Sequence, residues 1–184
     1  MGINRKDNDE GIAAMKRAIV IGCPGAGKST FARKLKEKTG LPLYYLDRIF
    51  HKPDRTTVPC EEFDQKLQTI LQTDRWIIDG NYQRTLPLRF EACTDIFFLD
   101  FPLHLCLEGA ASRVGTVRED MPWVEQEFDP AFRQYILDFP ENQLPGIYEL
   151  IERYQDRRRI MIFHSREEAD HWIDSYQSFR CPRR

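Results

Sequence analysis

The sequence predicts an α/β fold built on a five-stranded parallel sheet. Two observations carry this expectation. Five short apolar runs, at 18–21, 43–46, 76–78, 96–99 and 160–163, alternate with stretches of helical character. The runs are continuously apolar rather than alternating, which is the pattern of strands covered on both faces. A chain of 184 residues also buries roughly 70% of its surface on folding, enough for one full core.

Taken in order, the first run ends in the glycine-rich stretch 22–27. Residues 28–38 then suit a helix, which Thr39 and Gly40 stop ahead of Pro42. The second run, 43–46, ends in Asp47. A connection containing Pro53 and Pro59 leads to a segment with Phe63, Leu67, Ile70 and Leu71 on one helical face. The third run ends in Asp79-Gly80, and Pro87 suits the first turn of a short helix beyond it. The fourth run ends in Asp100. Residues 103–111 look helical, 113–122 look like an exposed loop, and two further helices follow, the second with Ile147, Leu150, Ile151 and Tyr154 on one stripe. After the fifth run, Ser165 and Glu168 form a capping box ahead of a helix carrying Ala169, Trp172, Ile173 and Tyr176. No internal repeat or linker divides 16–184, so a single domain is expected there. Residues 1–15 read as a flexible extension, with a natural start near Met15.

Composition narrows the function classes. Lys and Arg number 27 against 29 acids, for a net charge of −2. This balance argues against nucleic-acid binding by bulk electrostatics. No apolar run approaches the ~20 residues needed to cross a bilayer. The five cysteines are scattered, with no C-x-x-C pair. With no signal, transit or myristoylation pattern at the amino end, they point to a reducing, cytoplasmic location.

The strongest motif is Gly22-Cys23-Pro24-Gly25-Ala26-Gly27-Lys28-Ser29-Thr30, which satisfies G-x-x-x-x-G-K-[ST] between a strand and a helix. Glycines let successive backbone N–H groups converge on phosphate oxygens, and the following helix adds its positive end. ATP is therefore the expected ligand, with Lys28 on the β- and γ-phosphates and Ser29 on Mg²⁺. The bland alternative is a glycine-rich turn that only joins strand to helix.

Asp47, Asp79 and Asp100 each follow an apolar run, which places them at the carboxyl edge of the sheet beside that loop. Asp79 is read as a ligand of Mg²⁺ or its water, Asp47 as an acceptor-binding group or a turn residue, and Asp100 as structural. Positive charge around a moving phosphoryl group calls for arginines on mobile segments. Arg84 and Arg89 follow the third strand, and Arg113 and Arg118 flank Gly115 in the loop. Each could equally solvate the surface. Trp123 stands beside the loop and suits packing or a substrate cover.

Several segments together resemble a known family. Trp76-Ile77-Ile78-Asp79-Gly80-Asn81-Tyr82 with Arg84-Thr85-Leu86, and Asp95-Ile96-Phe97-Phe98-Leu99-Asp100-Phe101-Pro102, join the phosphate loop and Leu46-Asp47 in resembling the bacterial proteins labelled "DNA topology modulation protein". These are similar to adenylate kinase. The resemblance implies a three-layer P-loop NTPase fold that is adenylate-kinase-like with a short lid. The acceptor-binding segment would lie at about 47–73 and the lid at about 113–122, where Gly115-x-x-Arg118-x-Asp120-Met121 matches the family's G-x-x-R-x-D-M. It also implies that Arg84 meets the acceptor phosphate.

The expected activity is ATP- and Mg²⁺-dependent phosphoryl transfer to a small acceptor, a nucleotide or nucleoside first. Lys28 neutralises the triphosphate, Ser29 and Asp79 organise the metal, Arg84 and Asp47 serve the acceptor, and Arg113 or Arg118 closes over the moving group. The alternative is an ATP-binding regulatory protein with little or no kinase activity.

Overall fold

Strand β1 (Arg17–Gly22) lies at the centre of the sheet, and its Ala18, Ile19, Val20 and Ile21 are wholly removed from solvent. The computed structural model describes residues 15–176. The expected extension before Met15, together with Cys181 and the arginine-rich tail, lies outside the described residues. Met15 itself packs into the core.

Strands β2 (Leu43–Tyr45), β3 (Trp76–Asp79), β4 (Asp95–Leu99) and β5 (Arg159–Phe163) complete the sheet in the order β2-β3-β1-β4-β5, and every pairing is parallel. Neighbouring residues on a strand point to opposite faces, so Phe97 and Phe98 report what covers each side. The Phe97 ring lies 5.1 Å from Phe31 and 4.9 Å from Trp172. These belong to helices α1 (Lys28–Thr39) and α9 (Arg166–Ser175). The Phe98 ring lies 5.6 Å from Tyr148 in α8 (Leu144–Tyr154), on the other side. Helices on both faces explain why the strands carry no polar alternation.

Local signals set the remaining ends. Gly40 takes up a left-handed backbone, φ 66°, and returns its N–H to Lys36 O, closing α1. The Ser165 hydroxyl accepts from Glu168 N, and the Glu168 carboxylate accepts from His164 N, the two halves of a cap on α9. Helices α3 (Cys60–Leu71), α4 (Leu86–Ala92) and α5 (Leu103–Ala111) stand where the periodicity places them.

Two expectations need correction. The second apolar run does not remain a strand to Leu46: β2 stops at Tyr45, and Leu46 opens a short helix, α2 (Leu46–Phe50). Asp47 therefore sits in a helical first turn. Beyond the loop there are three helices rather than two, α6 (Pro130–Leu137), α7 (Phe139–Asn142) and α8. Each carries a proline in its first turn, where the ring costs no hydrogen bond but prevents the preceding helix from running on.

One contact fixes the glycine-rich loop against the rest of the molecule. A Cβ on Gly25 would lie 1.9 Å from Cys106 O, and one on Gly109 would lie 2.2 Å from Gly25 O, so loop and α5 meet backbone to backbone. Gly→Ala inside a helix ordinarily stabilises by about 1 kcal/mol. Gly109→Ala is expected to do the opposite, costing about 1–3 kcal/mol through overpacking, and urea denaturation of the two proteins measures the sign.

Candidate functional site

The carboxyl ends of β1, β2 and β3 bring together the elements that the sequence singles out. The loop from Gly22 to Gly27 leaves β1, and α1 starts directly at Lys28. Gly27 caps the helix at φ 91°, a conformation that a side chain would strain. The first loop amide is held from across the sheet edge: Gly22 N–H donates to Asn81 Oδ1 at 2.9 Å. The chain after β3 is held in turn by Arg89, which is fully buried and donates to the carbonyls of Gly80, Asn81 and Tyr82. Arg89 is thus spent on backbone, and with Asn81 it sets the loop's position.

Three carboxylates, Asp47, Asp79 and Asp120, and three cations, Lys28, Arg113 and Arg118, converge there. Asp79, at the end of β3, is 5% exposed, and its Oδ1 has no hydrogen-bond partner among the described residues. Burial pushes its pKa up to about 7; nearby Lys28 pulls it down, and the charges of Asp47 and Asp120 push it up again. Asp47 accepts from the Tyr82 hydroxyl at 2.8 Å. The Tyr82 ring is itself fixed by stacking on Phe63, 5.0 Å between centroids. Asp120 accepts from the Ser29 hydroxyl at 2.8 Å and from Arg118 at 2.6 Å. Burial opposes ionisation of Asp120, yet Arg118 and Ser29 hold its pKa at about 2.

Lys28 donates to Cys23 O at 3.1 Å, folding its amine back over the loop. Burial lowers its pKa, Asp79 opposes that, and the charge of Arg113 adds to it. Burial also lowers the Arg113 pKa. Among the described residues neither Lys28 nor Arg113 forms an ion pair, whereas Arg118 is held between Asp120 and Glu125.

Two cavities flank the loop. The larger, about 600 Å³, is lined by Lys28, Ser29, Asp47, Asp79, Arg113 and Asp120 on one side and by aromatic residues farther out. The smaller, about 360 Å³, lies between the loop's outer side and the start of α9, with Gly25, Gly27, Thr30, Lys34 and Arg166 in its wall. Arg113 lines both. A strap without regular structure, 112–129, roofs the larger cavity, longer than the 113–122 expected. Its two arms are tied by Gly115 N–H donating to Glu125 O at 2.8 Å.

No protein-family model matches the chain. Two curated adenylate kinases from Thermotoga neapolitana are each 30% identical to it over 88 residues, which is 47% of this chain and 39% of theirs. The chain therefore spans 39% of the length of those curated relatives in the match. An unliganded sugar kinase from Janibacter sp. HTCC2649 superposes with a TM-score of 0.53 and 18% identity, covering 87% of this chain and 91% of its own. A shikimate kinase from Acinetobacter baumannii, in complex with shikimate, gives a TM-score of 0.58 and 15% identity over 87% and 89%. The chain has a P-loop kinase fold.

Within that P-loop kinase fold, Pro24, Lys28, Ser29, Asp47, Asp79, Arg113 and Arg118 all line the larger cavity, and Gly25, Ala26, Gly27 and Thr30 line the smaller. Arg84 does not join them. Its exposed guanidinium is engaged by the Asp64 carboxylate of α3, at 2.9 and 2.7 Å, and it lines neither cavity, so the structure does not bring it to the place expected of it. Asp100 receives the Tyr148 hydroxyl and lies apart from both cavities, in keeping with a structural role. Asn81 and Tyr82 lie in the Asp79-Gly80-Asn81-Tyr82 segment on which the resemblance rests, but the motifs assign them no role; Glu125 carries no motif signal.

The Asp79 shift has a definite sign for stability. Its pKa rises from 3.8 to about 7 on folding. The folded chain therefore keeps a proton that the unfolded chain releases, and the stabilisation is full below pH 3.8 and lost as pH climbs through about 7. In chelator-treated protein, Asp79→Asn is expected to flatten the fall in stability across that window. It should exceed the parent above the window by up to about 4 kcal/mol, as read by urea denaturation.

Proposed function

We propose that this chain is an ATP- and Mg²⁺-dependent phosphotransferase for a small-molecule acceptor, of the nucleotide or nucleoside size class. The observation that carries the reading is the pair Lys28 and Arg113. Two desolvated cations without carboxylate partners among the described residues, at the seam of two cavities, are built for a polyphosphate. Adenosine would occupy the smaller cavity and the acceptor the larger, the phosphates crossing the loop amides between them. The acceptor segment at about 47–73 and the strap supply the outer walls. On this reading the segments shared with the topology modulation proteins describe a small-molecule kinase, and the acidic balance of the chain supports no role on DNA.

The residues present also fit a divalent cation. Among the described residues no group of three His, Cys, Asp or Glu gathers into a self-sufficient metal cage. Magnesium, however, usually takes only one or two protein ligands and fills the rest with phosphate and water. The Ser29 hydroxyl and the unpartnered Asp79 Oδ1 are suitable donors. When bound, Mg²⁺ supplies charge neutralisation across the β- and γ-phosphates. Lys28 and the loop amides hold the triphosphate, Arg113 offsets charge on the moving group, and the strap excludes water.

A second reading, an ATP sensor with slow chemistry, rests on the Ser29–Asp120 bond, because a ligand on Ser29 would disturb the strap that a partner could read. No helix among the described residues is long and apolar enough to cross a membrane. The free thiols of Cys23, Cys60, Cys93 and Cys106 support a reducing, cytoplasmic setting. Labelled ATP decides between catalyst and sensor. Transfer into an acceptor is expected, and Lys28→Ala should lower it at least ~100-fold; well-folded protein that shows no saturable heat with Mg·ATP overturns the reading.

A further inference from the structure

We infer that the acceptor is an uncharged alcohol carried on a flat apolar body, received by Asp47, and not a phosphate ester. The inference rests on the phosphotransferase reading and names the substrate class of the same cavity.

All but one of the cations around the acceptor end of the larger cavity are already committed. Arg84 faces outward onto Asp64. Arg89 is consumed by three backbone carbonyls. Arg118 lies between Asp120 and Glu125, at 2.6 and 3.1 Å. Arg48 donates to Met121 O from an exposed position outside the lining. Arg55 lines the rim but stands at the tip of an exposed turn, with φ 66° and no ion pair among the described residues. Lys28 and Arg113 belong to the donor phosphates. Against this, Asp47, Glu125, Glu127 and Asp129 all face the cavity. Apart from Arg55 on its exposed turn, a phosphate dianion at the acceptor end would meet carboxylates with no guanidinium fork to receive it, whereas anion sites rely on such forks or on backbone nests.

The remaining surface suits a different guest. Phe50, Trp123, Phe128, Phe132 and Tyr135 line the outer part of the cavity, with His51 set edge-on between Phe50 and Trp123 at 5.0 and 5.1 Å. Flat rings with few polar groups bind a ring-shaped body by stacking and area burial. At the inner end, one Asp47 oxygen is occupied by the Tyr82 hydroxyl, which fixes the carboxylate, and Oδ2 has no partner among the described residues. That free oxygen is the acceptor for a hydroxyl proton.

The step balances with groups already named. The alcohol oxygen forms a bond to the γ-phosphorus of ATP while the bond from that phosphorus to the β,γ-bridging oxygen breaks. ADP leaves with the bonding pair, the hydroxyl proton passes to Asp47 Oδ2 and then to water, and the product is a phosphate monoester. A nucleoside and a heteroaromatic alcohol share this chemistry, separate arms of one experiment distinguish them, and a sugar serves as the arm that has the hydroxyl without the flat body.

The test supplies the full-length protein with γ-labelled ATP, Mg²⁺ and matched pairs: adenosine and AMP, thymidine and dTMP, pyridoxine and its 5′-phosphate, glucose and glucose 6-phosphate. The expected result is label in adenosine, thymidine or pyridoxine, with kcat/KM at least ~100-fold above that for the matching ester, whereas label confined to glucose overturns the flat apolar body. Asp47→Asn should lower kcat for that alcohol at least ~100-fold while leaving its KM and the calorimetric binding of Mg·ATP within about threefold. Preferential labelling of an ester overturns the inference, as does an unchanged kcat in Asp47→Asn. Saturable Mg·ATP binding with no alcohol labelled in any arm also overturns it and leaves ATP binding by the loop intact. Absence of Mg·ATP binding removes the phosphotransferase reading beneath it.

Discussion

The site depends on a backbone contact too close for any side chain. Gly25 and Gly109 let the glycine-rich loop rest on α5, and α5 ends at Ala111, two residues before Arg113. The same packing therefore positions the loop and the root of the strap that carries Arg113, which forms no ion pair among the described residues. A second tie, from Asn81 to the Gly22 amide, comes from the chain that Arg89 clamps after β3. The loop is held from two directions by groups that do no chemistry themselves.

What this frame holds is electrostatically costly. Asp79 is buried with one oxygen unpartnered, beside a lysine whose own charge is penalised by burial and by Arg113. Desolvated charges of this kind are rarely kept for stability, because their solvation is lost and only partly replaced. They are concentrated at one sheet edge, within a core otherwise built from continuous apolar strands, and on the phosphotransferase proposal this is where the fold gives up stability for chemistry. By contrast, the exposed pairs Lys34–Asp170 and Lys66–Glu62 disturb nothing and contribute little.

Much of this was legible before any coordinates, and the exceptions have physical causes. Strands covered on both faces leave unbroken apolar runs, so the sheet could be read from residues such as Phe97 and Phe98. The same property hid the end of β2: Leu46 is fully buried and apolar, and an apolar residue does not say whether the backbone beneath it is strand or helix. The strap was bounded too tightly because an irregular segment has no period to detect. The partner of Arg84 was not legible: sequence places a guanidinium on the chain but not what it meets, and Asp64 stands 20 positions away in α3. The glycine-rich loop was the clearest signal because what the motif specifies is a backbone conformation, which glycine spacing reports directly.

The bond between Ser29 and Asp120 also joins two distant parts of the chain. The hydroxyl gives its one proton to the carboxylate and keeps its lone pairs, while Asp120 is tied through Arg118 to Glu125. The first turn of α1 and both arms of the strap are thereby linked by one polar chain, so a displacement at either end is felt at the other.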